Sequence, residues 1–270
     1  MTEKYDGAVS AVMRERIKET LAQIEKTHRV KVLYACESGS RGWGFASPDS
    51  DYDVRFIYVH QPDWYLALDK KRDVIEKPID DELDVAGWEL SKALRLLRNS
   101  NPALIEWLSS PVVYYQDEAF VREMSMLAAQ FYSPVKARWH YLSMAKNNTK
   151  GHLQGDEVRL KKYFYVLRPV MALRWIAAGK GLPPMAFDAL VAGTITDADV
   201  LAEIKELLIL KKKSGESHYG VRRPAVDRLI QDVLDEAERL LPEAPGYHDS
   251  RLLDRFLMKT VTAYTEHARA

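Results

Sequence analysis

The stretch GSRGWGFASPDSDYDVR, residues 39–55, is the most informative part of this chain about its fold. It holds three glycines and three aspartates, a composition typical of a loop with tight turns. The run VKVLYAC at 30–36 precedes it, and a second run at 52–59 begins directly after its second aspartate. Both runs are rich in β-branched and aromatic residues, which predicts buried strands. The stretch is therefore a glycine-rich loop that joins two strands.

Two aspartates stand two positions apart at the start of the second strand. Because alternate side chains of a strand point to the same face, Asp51 and Asp53 are predicted to emerge side by side. Like charges so close repel each other, and Mg²⁺ is commonly held by one or two carboxylates together with phosphate oxygens and water. Gly39 and Ser40 add a turn whose backbone N–H groups and hydroxyl can meet a phosphate. These features together predict metal-assisted transfer from a nucleoside triphosphate.

The composition of the chain narrows the class of protein. Its 270 residues suffice for one large or two small domains, and no apolar run approaches the ~18 residues of a membrane span. The N-terminal segment mixes acids and bases without an apolar core, so we expect no signal peptide, a cytoplasmic location and no membrane partner. A single cysteine, Cys36, excludes an internal disulfide and a zinc site built from cysteines.

Charge is balanced overall but uneven along the chain. Lysine plus arginine and aspartate plus glutamate both number 39, so no global field draws the protein to nucleic acid. Residues 49–120 carry a net charge of −7, whereas residues 136–180 carry +8. The contrast suits a metal site in one half and a polyanion contact in the other, although chance clustering on solvated faces gives the same counts.

Periodicity predicts the other elements. Val12, Ile17, Leu21 and Ile24 have helical spacing and predict a first helix over 9–28. Further predicted elements of the first half are strands at 73–79 and 82–87 joined by a turn at Asp80-Asp81, helices at 89–97 and from Asn101-Pro102, and an edge strand at 111–115. Later candidate helices cover 118–131, 134–148, 156–178, 197–212, 223–241 and 249–267, with loops at 179–184 and 211–220. The sequence thus predicts an α/β domain at 1–116 followed by an α-helical domain at 117–270.

The order strand, Gly-Ser, loop, Asp-x-Asp, apolar strand resembles the signature of the DNA polymerase β-like nucleotidyltransferase superfamily. The resemblance implies an α/β (α+β) fold with a small mixed sheet and helices on one side. It also implies that Ser40 contacts the terminal phosphates, that Asp51 and Asp53 hold two metal ions, and that a later strand supplies a third carboxylate. Asp84 in ELDVAGWEL is the favoured candidate because it lies between apolar residues. Glu82 is its rival.

Longer segments support a narrower resemblance. The segments GSRGWGFASPDSDYDVRFIYV, LDVAGWELSKALRLLRNSNPALIEWLSSP, YLSMAKNN and KKYFYVLRPVMALRWI, spread over 39–176, are similar to the predicted RNA-repair-pathway nucleotidyltransferases of the RlaP family. This resemblance implies a nucleoside triphosphate as donor, Mg²⁺ or Mn²⁺ as cofactor, Asp51, Asp53 and Asp84 as catalytic metal ligands, and an RNA 3′ hydroxyl as acceptor.

Cations of the second half are candidate phosphate contacts. Related nucleotidyltransferases give this role to a lysine of the helical lobe. Lys161 forms an i, i+4 pair with Tyr165 on a predicted helix, and Lys162 competes with it. Lys146 in SMAKNN is a similar candidate. Ordinary exposed bases would give the same pattern.

The remaining candidates each have two interpretations. The aromatic residues at 163–165 stack on a base or pack in the core, and Tyr165 is retained as a nucleotide contact. Gly39, Ser40 and Arg41 form the predicted phosphate turn, but Arg41 and Arg55 pair either with phosphate or with the aspartates. Trp43 covers the nucleotide or packs under the turn.

Two other functions fit the same sequence. The acceptor can be a small molecule or a protein hydroxyl. The neutral overall charge favours such an acceptor, because a neutral protein has no long-range attraction for nucleic acid. A catalytically silent nucleotide-binding protein is the third hypothesis, and the intact aspartates argue against it.

Overall fold

A computed structural model describes residues 9–47, 50–79, 82–213, 219–239 and 249–267 of the chain, without the side chains of 213 and 265–267. The predicted turn at Asp80-Asp81 lies outside these residues. None of the helices in the described ranges is long and apolar enough to cross a membrane.

Within the described residues, a five-stranded mixed sheet is the centre of the first half. Its strands in chain order are β1 (Val30–Ser38), β2 (Tyr52–His60), β3 (Val74–Glu76), β4 (Leu83–Glu89) and β5 (Val113–Gln116), and they lie in the order β3-β4-β2-β1-β5. β2 and β4 run parallel, and the other pairs are antiparallel. The predicted mixed sheet, including the edge strand after residue 111, is confirmed.

Helices make up most of the remaining described chain. They are α1 (Ala11–His28), α2 (Gly39–Gly42), α3 (Pro62–Tyr65), α4 (Leu90–Arg98), α5 (Pro102–Leu108), α6 (Glu118–Phe131), α7 (Pro134–His152), α8 (Lys162–Ala177), α9 (Phe187–Thr194), α10 (Ala198–Lys213), α11 (Pro224–Arg239) and α12 (Arg251–His267). Several starts are fixed by side-chain caps, as at α5, where Asn101 Oδ1 accepts a hydrogen bond of 3.2 Å from the N–H of Leu104.

The sheet is covered on both faces, which corrects the expectation of helices on one side only. Residues of α4, α5, α6 and α12 form one apolar cluster with Ile57 and Val59 of β2. α1 forms a second cluster with the alternate residues of β2, among them Val54 and Phe56. The apolar face of α1 uses Met13 instead of the predicted Val12, which is 81% exposed.

The chain divides into two compact units. Within the described residues, the sheet unit is built from Ala8–Gly42, Asp51–Tyr132 and Gly246–Ala270, and the helical unit from Trp43–Ser50 and Ser133–Pro245. The helices α6 and α12, which the sequence assigned to the second domain, therefore share a core with the sheet. The sequence placed the boundary between two functional domains at residues 116 and 117, and this assignment stays a prediction.

The helical unit differs from prediction in several places, among them a helix start, an additional helix and a loop. The helix expected over 156–178 begins only at Lys162, because residues 157–159 form β6 (Glu157–Arg159), which pairs with β7 (Tyr219–Val221). The helix α9 was not predicted. The loop expected at 211–220 is shorter at both described ends, where α10 continues to Lys213 and β7 begins at Tyr219.

Candidate active site

The site begins with the register of the two parallel strands. In β2 and β4, Asp53 lies directly opposite Asp84, and both strands run in the same direction. Buried Val54 and Val85 point to the sheet face that α1 covers, so the two aspartates occupy the other face. The carboxylates of Asp53 and Asp84 therefore lie at one end and on one face of the sheet.

A guanidinium joins these carboxylates. Arg55 Nη2 donates to Asp84 Oδ2 at 2.7 Å and to Asp53 Oδ1 at 3.2 Å, so both oxygens converge on a single nitrogen atom. Arg55 Nη1 donates at 3.1 Å to the backbone carbonyls of Val54 and Asp84. Of the two interpretations of Arg55, the structure shows the pairing with aspartates.

The glycine turn packs directly against one of the aspartates. Gly39 follows the end of β1 with a positive φ of 65°, a conformation that side-chain-bearing residues rarely adopt. A Cβ atom at this position would lie 2.1 Å from Asp53 Oδ2. The missing side chain therefore allows both the turn and the close approach of the carboxylate. Ser40, the next residue, is partly exposed in the short helix α2.

The other predicted carboxylates lie near this pair in sequence but not in the same contact. Asp51 is exposed and lies just before β2. Glu82 is exposed, and its backbone carbonyl accepts a hydrogen bond from the N–H of Tyr52 at 2.7 Å. Among the described residues, no three histidine, cysteine, aspartate or glutamate side chains are grouped closely enough to hold a metal ion. The assembled part of the predicted ligand set is thus the pair Asp53 and Asp84.

Glu37 is a buried carboxylate that the sequence analysis missed. Its Oε1 accepts a hydrogen bond of 2.9 Å from the backbone N–H of Asp53, and the Tyr114 hydroxyl donates to Oε2. Burial raises the pKa of Glu37 to about 7, and the nearby charge of Asp53 adds to the rise. The one signal in the sequence was a charged residue within the motif, between a buried strand and Gly39. Glu37 therefore holds the backbone of Asp53 in place through this hydrogen bond.

Arg41 is a buried cation that lies against Tyr52 and acts electrostatically on Glu37. It is 6% exposed, and its guanidinium carbon lies 3.8 Å from the centre of the Tyr52 ring, a cation–π contact. Its positive charge also lowers the pKa of Glu37 in part. The assignment of Arg41 to phosphate stays a prediction, and in the structure its guanidinium lies over the Tyr52 ring.

The middle of the glycine-rich loop belongs to the helical unit. Phe45 stacks on Phe164 of α8 with ring centres 4.6 Å apart and meets Phe187 of α9 edge-on at 5.1 Å. The guanidinium carbon of Arg168 lies 4.0 Å from the centre of the Trp43 ring. Trp43 is therefore packed by aromatic and cationic side chains, in agreement with the packing alternative.

The predicted nucleotide contacts of α8 form a half-exposed group in that unit. Lys162 Nζ lies 4.6 Å from the centre of the Tyr165 ring, so Lys162 makes the i, i+3 contact where the sequence favoured Lys161 at i, i+4. Lys161 is the N-cap residue of α8. Tyr165 is 36% exposed. Its backbone carbonyl would bond to residue 169, which is a proline without an N–H, and Asn148 Nδ2 donates to it at 2.8 Å instead.

Three further candidates have structural partners. Lys146 forms an exposed ion pair with Glu238. Phe164 is buried in the aromatic cluster, and Tyr163 is fully buried and donates its hydroxyl hydrogen to Asp227 Oδ1 at 2.9 Å. Tyr163 and Phe164 are thus core residues, and Tyr165 alone of the three aromatics is accessible to a base.

A mixed sheet with in-register aspartates on parallel strands beside a Gly-Ser turn is the arrangement expected of a polymerase β-like nucleotidyltransferase. Residues 13–259 match the RlaP family, described as the RNA repair pathway DNA polymerase beta family. The match covers most of the chain, so this protein belongs to the RlaP family.

The chain is also similar to individual proteins. The chain is 43% identical over 254 residues to the "Uncharacterized protein YcgL" of Bacillus subtilis (strain 168), covering 92% of this chain and 96% of that protein. A nucleotidyltransferase-like protein from Exiguobacterium sibiricum 255-15 shares 11% identity, with 85% of this chain and 74% of that chain covered and a TM-score of 0.31. At this TM-score the likeness carries no weight, and family membership is shown by the match over residues 13–259.

Proposed function

We propose that this protein is a Mg²⁺-dependent nucleotidyltransferase that moves a nucleoside monophosphate from a nucleoside triphosphate to the 3′ hydroxyl of an RNA. The observation that carries the proposal is the convergence of Asp53 and Asp84 on one cationic nitrogen beside the Gly39 turn. A position that already accommodates positive charge between two carboxylate oxygens fits a hard divalent cation.

In this proposal the aspartates bind the metal ion and the turn at Gly39 and Ser40 binds phosphate. Asp53 and Asp84 would hold Mg²⁺, or Mn²⁺ in its place, and Asp51 is the further carboxylate available from solvent. A bound ion would neutralise charge at the reacting phosphate and would lower the pKa of the acceptor hydroxyl. The backbone N–H groups of the turn and the Ser40 hydroxyl would bind the terminal phosphates.

The reaction is a displacement at the α-phosphorus. The acceptor oxygen forms a bond to that phosphorus while the bond to the pyrophosphate oxygen breaks, and pyrophosphate leaves with the electron pair. A carboxylate of the site, Asp84 in our assignment, takes the hydroxyl proton. Placement of the two reactants and neutralisation of charge supply most of the rate, and no covalent enzyme intermediate is required.

RNA is the proposed acceptor for three reasons. The chain belongs to a family described by an RNA repair pathway. Residues 136–180, which lie in the helical unit, carry a net charge of +8, suited to a phosphate backbone. In the same unit, Lys162 and the half-exposed ring of Tyr165 offer a cation and a stacking surface.

An acceptor screen tests the proposal. The full chain is incubated with each of four NTPs labelled at the α-phosphate, with Mg²⁺ or Mn²⁺, and with an RNA that ends in a 3′ hydroxyl, the same RNA with a 3′ phosphate, an aminoglycoside or a hydroxyl-bearing peptide. We expect label only on the 3′-hydroxyl RNA and only with metal. Label on the small acceptors and none on RNA would establish the alternative acceptor class.

Matched variants separate chemistry from folding in this screen. Asp53→Asn should abolish transfer, because it removes a metal-binding charge while keeping the side-chain shape. Asp63→Asn makes the same chemical change at an exposed position of α3 and should leave transfer unchanged. If the wild-type chain binds NTP in equilibrium dialysis but labels no acceptor, the catalytically silent hypothesis replaces this one.

A further inference from the structure

Arg55 holds a position that the proposed metal ion would need. Its Nη2 atom is the point on which Asp53 Oδ1 and Asp84 Oδ2 converge, at 3.2 Å and 2.7 Å. We propose that Arg55 is the resident counter-ion of this site and that a divalent ion binds by displacing Nη2 from the two carboxylates. The inference rests on the proposed function, since it takes Asp53 and Asp84 to be the metal-binding pair.

The surroundings of Arg55 explain why it occupies this position without a ligand. Asp53 and Asp84 face each other across neighbouring parallel strands, and each side chain is only about one-third exposed, at 29% and 30%. Two like charges at that spacing repel strongly when water screens them poorly. The guanidinium, whose side chain is 19% exposed, offsets the repulsion with charge-assisted hydrogen bonds.

The second nitrogen of the guanidinium keeps the side chain in place. Nη1 donates at 3.1 Å to the carbonyls of Val54 and Asp84, which belong to the paired strands and do not depend on the carboxylate groups. These bonds keep the cation at the end of β2 after Nη2 loses its contacts. Arg55 is therefore a positioning residue that competes with the ion, and it is not itself a ligand.

The charge of the site sets the consequence for metal affinity. Two carboxylates alone present −2 to an incoming cation, whereas the pair with Arg55 presents −1. A free divalent ion must overcome both the reduced attraction and the loss of two ionic hydrogen bonds. Removal of the positive charge should thus strengthen metal binding, whereas the loss of a purely structural contact would weaken it or leave it unchanged.

Manganese titration in the absence of nucleotide tests the inference. Free Mn²⁺ is measured by electron paramagnetic resonance as it is added to the full chain, either wild type or Arg55→Gln. We expect Arg55→Gln to bind Mn²⁺ about tenfold more tightly or better, because one opposing charge is removed at close range. Equal or weaker binding by folded Arg55→Gln would overturn the inference, as would an absence of Mn²⁺ binding in that variant.

Thermal unfolding of the same samples supplies a second readout. Without metal, Arg55→Gln should unfold at a lower temperature than wild type, since Asp53 and Asp84 then repel each other. Saturating Mn²⁺ should raise its unfolding temperature by more than it raises that of wild type. A smaller rise in the variant would contradict displacement.

Two further variants complete the design. Arg95→Gln removes a guanidinium that pairs with the single carboxylate of Asp73 at 2.8 Å in the same unit, and it should bind Mn²⁺ like wild type. If Arg55→Gln fails to fold, Arg55→Lys keeps one charge but cannot span both carboxylates and both carbonyls. The lysine variant should bind Mn²⁺ with an affinity between those expected for wild type and glutamine, and affinity at or below that of wild type overturns the inference.

The outcome is independent of the acceptor screen. Tighter Mn²⁺ binding by Arg55→Gln stands even if no acceptor is labelled, in which case the proposed transfer fails and the counter-ion role remains. Equal Mn²⁺ binding by wild type and Asp53→Asn would show that Asp53 holds no metal, which overturns both the metal assignment and the displacement.

Discussion

The two ends and the middle of the stretch 39–55 are stabilised by different forces. At the ends, in the sheet unit, Asp53 is held by Arg55, by the N–H contact to Glu37 and by its approach to Gly39. In the middle, in the helical unit, Phe45 is buried among Phe164, Phe187 and other apolar groups. The ends depend on charge and the middle depends on removal of apolar surface from water.

This difference separates function from anchoring within seventeen residues. Partly exposed ion pairs respond to salt, pH and metal, whereas a buried aromatic cluster responds to none of these at moderate concentrations. A ligand that carries charge can therefore act on the ends of the stretch without loosening its middle. We therefore expect variants at the charged ends to change activity or the response to pH and metal, and variants in the apolar middle to lose stability at any salt concentration.

The largest expected effect is on activity at the charged end. Asp84→Asn should lower nucleotidyl transfer by roughly a thousandfold, because it removes charge stabilisation from the reacting phosphate. Single-turnover transfer to a 3′-hydroxyl RNA measures the change, with circular dichroism to verify folding. Glu82→Gln is the matched control for the rival carboxylate, and a larger loss in that variant would transfer the assignment to Glu82.

The next effect is on stability in the middle of the stretch. Phe45→Ala should lower the free energy of unfolding by about 3 to 5 kcal/mol, because it leaves a cavity beside Phe164 and Phe187. Chemical denaturation at low and at moderate salt should give the same loss.

The control for the aromatic cluster is Trp139→Ala. Trp139 is 46% exposed in the same unit, so its loss should change the free energy of unfolding by only about 0.5 kcal/mol. A strongly salt-dependent loss in Phe45→Ala would contradict the apolar character assigned to this region.

Glu37 predicts a dependence of stability on pH at the charged end. Its pKa rises from 4.5 to about 7 on folding, so between these values the folded protein holds a proton that the unfolded chain releases. The free energy of unfolding should then fall as pH increases from about 4.5 to 7, by about 3 kcal/mol in total, and stay constant above it as far as this group is concerned.

Glu37→Gln should remove this slope, because an amide does not titrate. Urea unfolding at pH 5, 6, 7 and 8 measures it, and Glu19→Gln at an exposed position of α1 should retain the wild-type slope. The same slope in Glu37→Gln and wild type would show that another group causes it.

The smallest effect compares two glycines of one loop. Gly39 and Gly44 both have positive φ, 65° and 89°, but only Gly39 has a neighbour, Asp53, within reach of a Cβ atom. Both alanine variants should lose stability through backbone strain, and Gly39→Ala should lose about 1 to 2 kcal/mol more through the clash. Equal losses of the free energy of unfolding would show that the carboxylate moves aside at no cost.

Much of the fold was predictable because local patterns specify it. The strand at residues 52–59 and the helix at 118–131 were predicted within one residue of β2 and α6, since alternation, helical spacing and caps lie within each segment. The apolar face of α1 was misplaced by one residue. Val12 and Met13 are both apolar, and only packing against the sheet decides which of them is buried.

Nonlocal pairing explains the larger errors. β6 is three residues long, and it pairs with β7, which lies about sixty residues later in the chain, so no local pattern distinguishes it from the start of a helix. The same limit applies to the site. Strand alternation pointed to Asp84, but the carboxylate of Glu37 is bound by Tyr114 of β5 and by the backbone N–H of Asp53 in β2, and no pattern within β1 predicts these partners.

The packing of Phe45 against Phe164 and Phe187 anchors the middle of the stretch 39–55 at one buried ring. Ordinary surface loops tolerate added residues at small entropic cost, but a segment that is pinned at a buried ring has slack only on either side of it. Insertions next to Phe45 would therefore disturb its packing against Phe164 and Phe187, even though the loop is rich in glycine. Engineering of longer or shorter variants should leave the residues next to Phe45 unchanged and begin elsewhere.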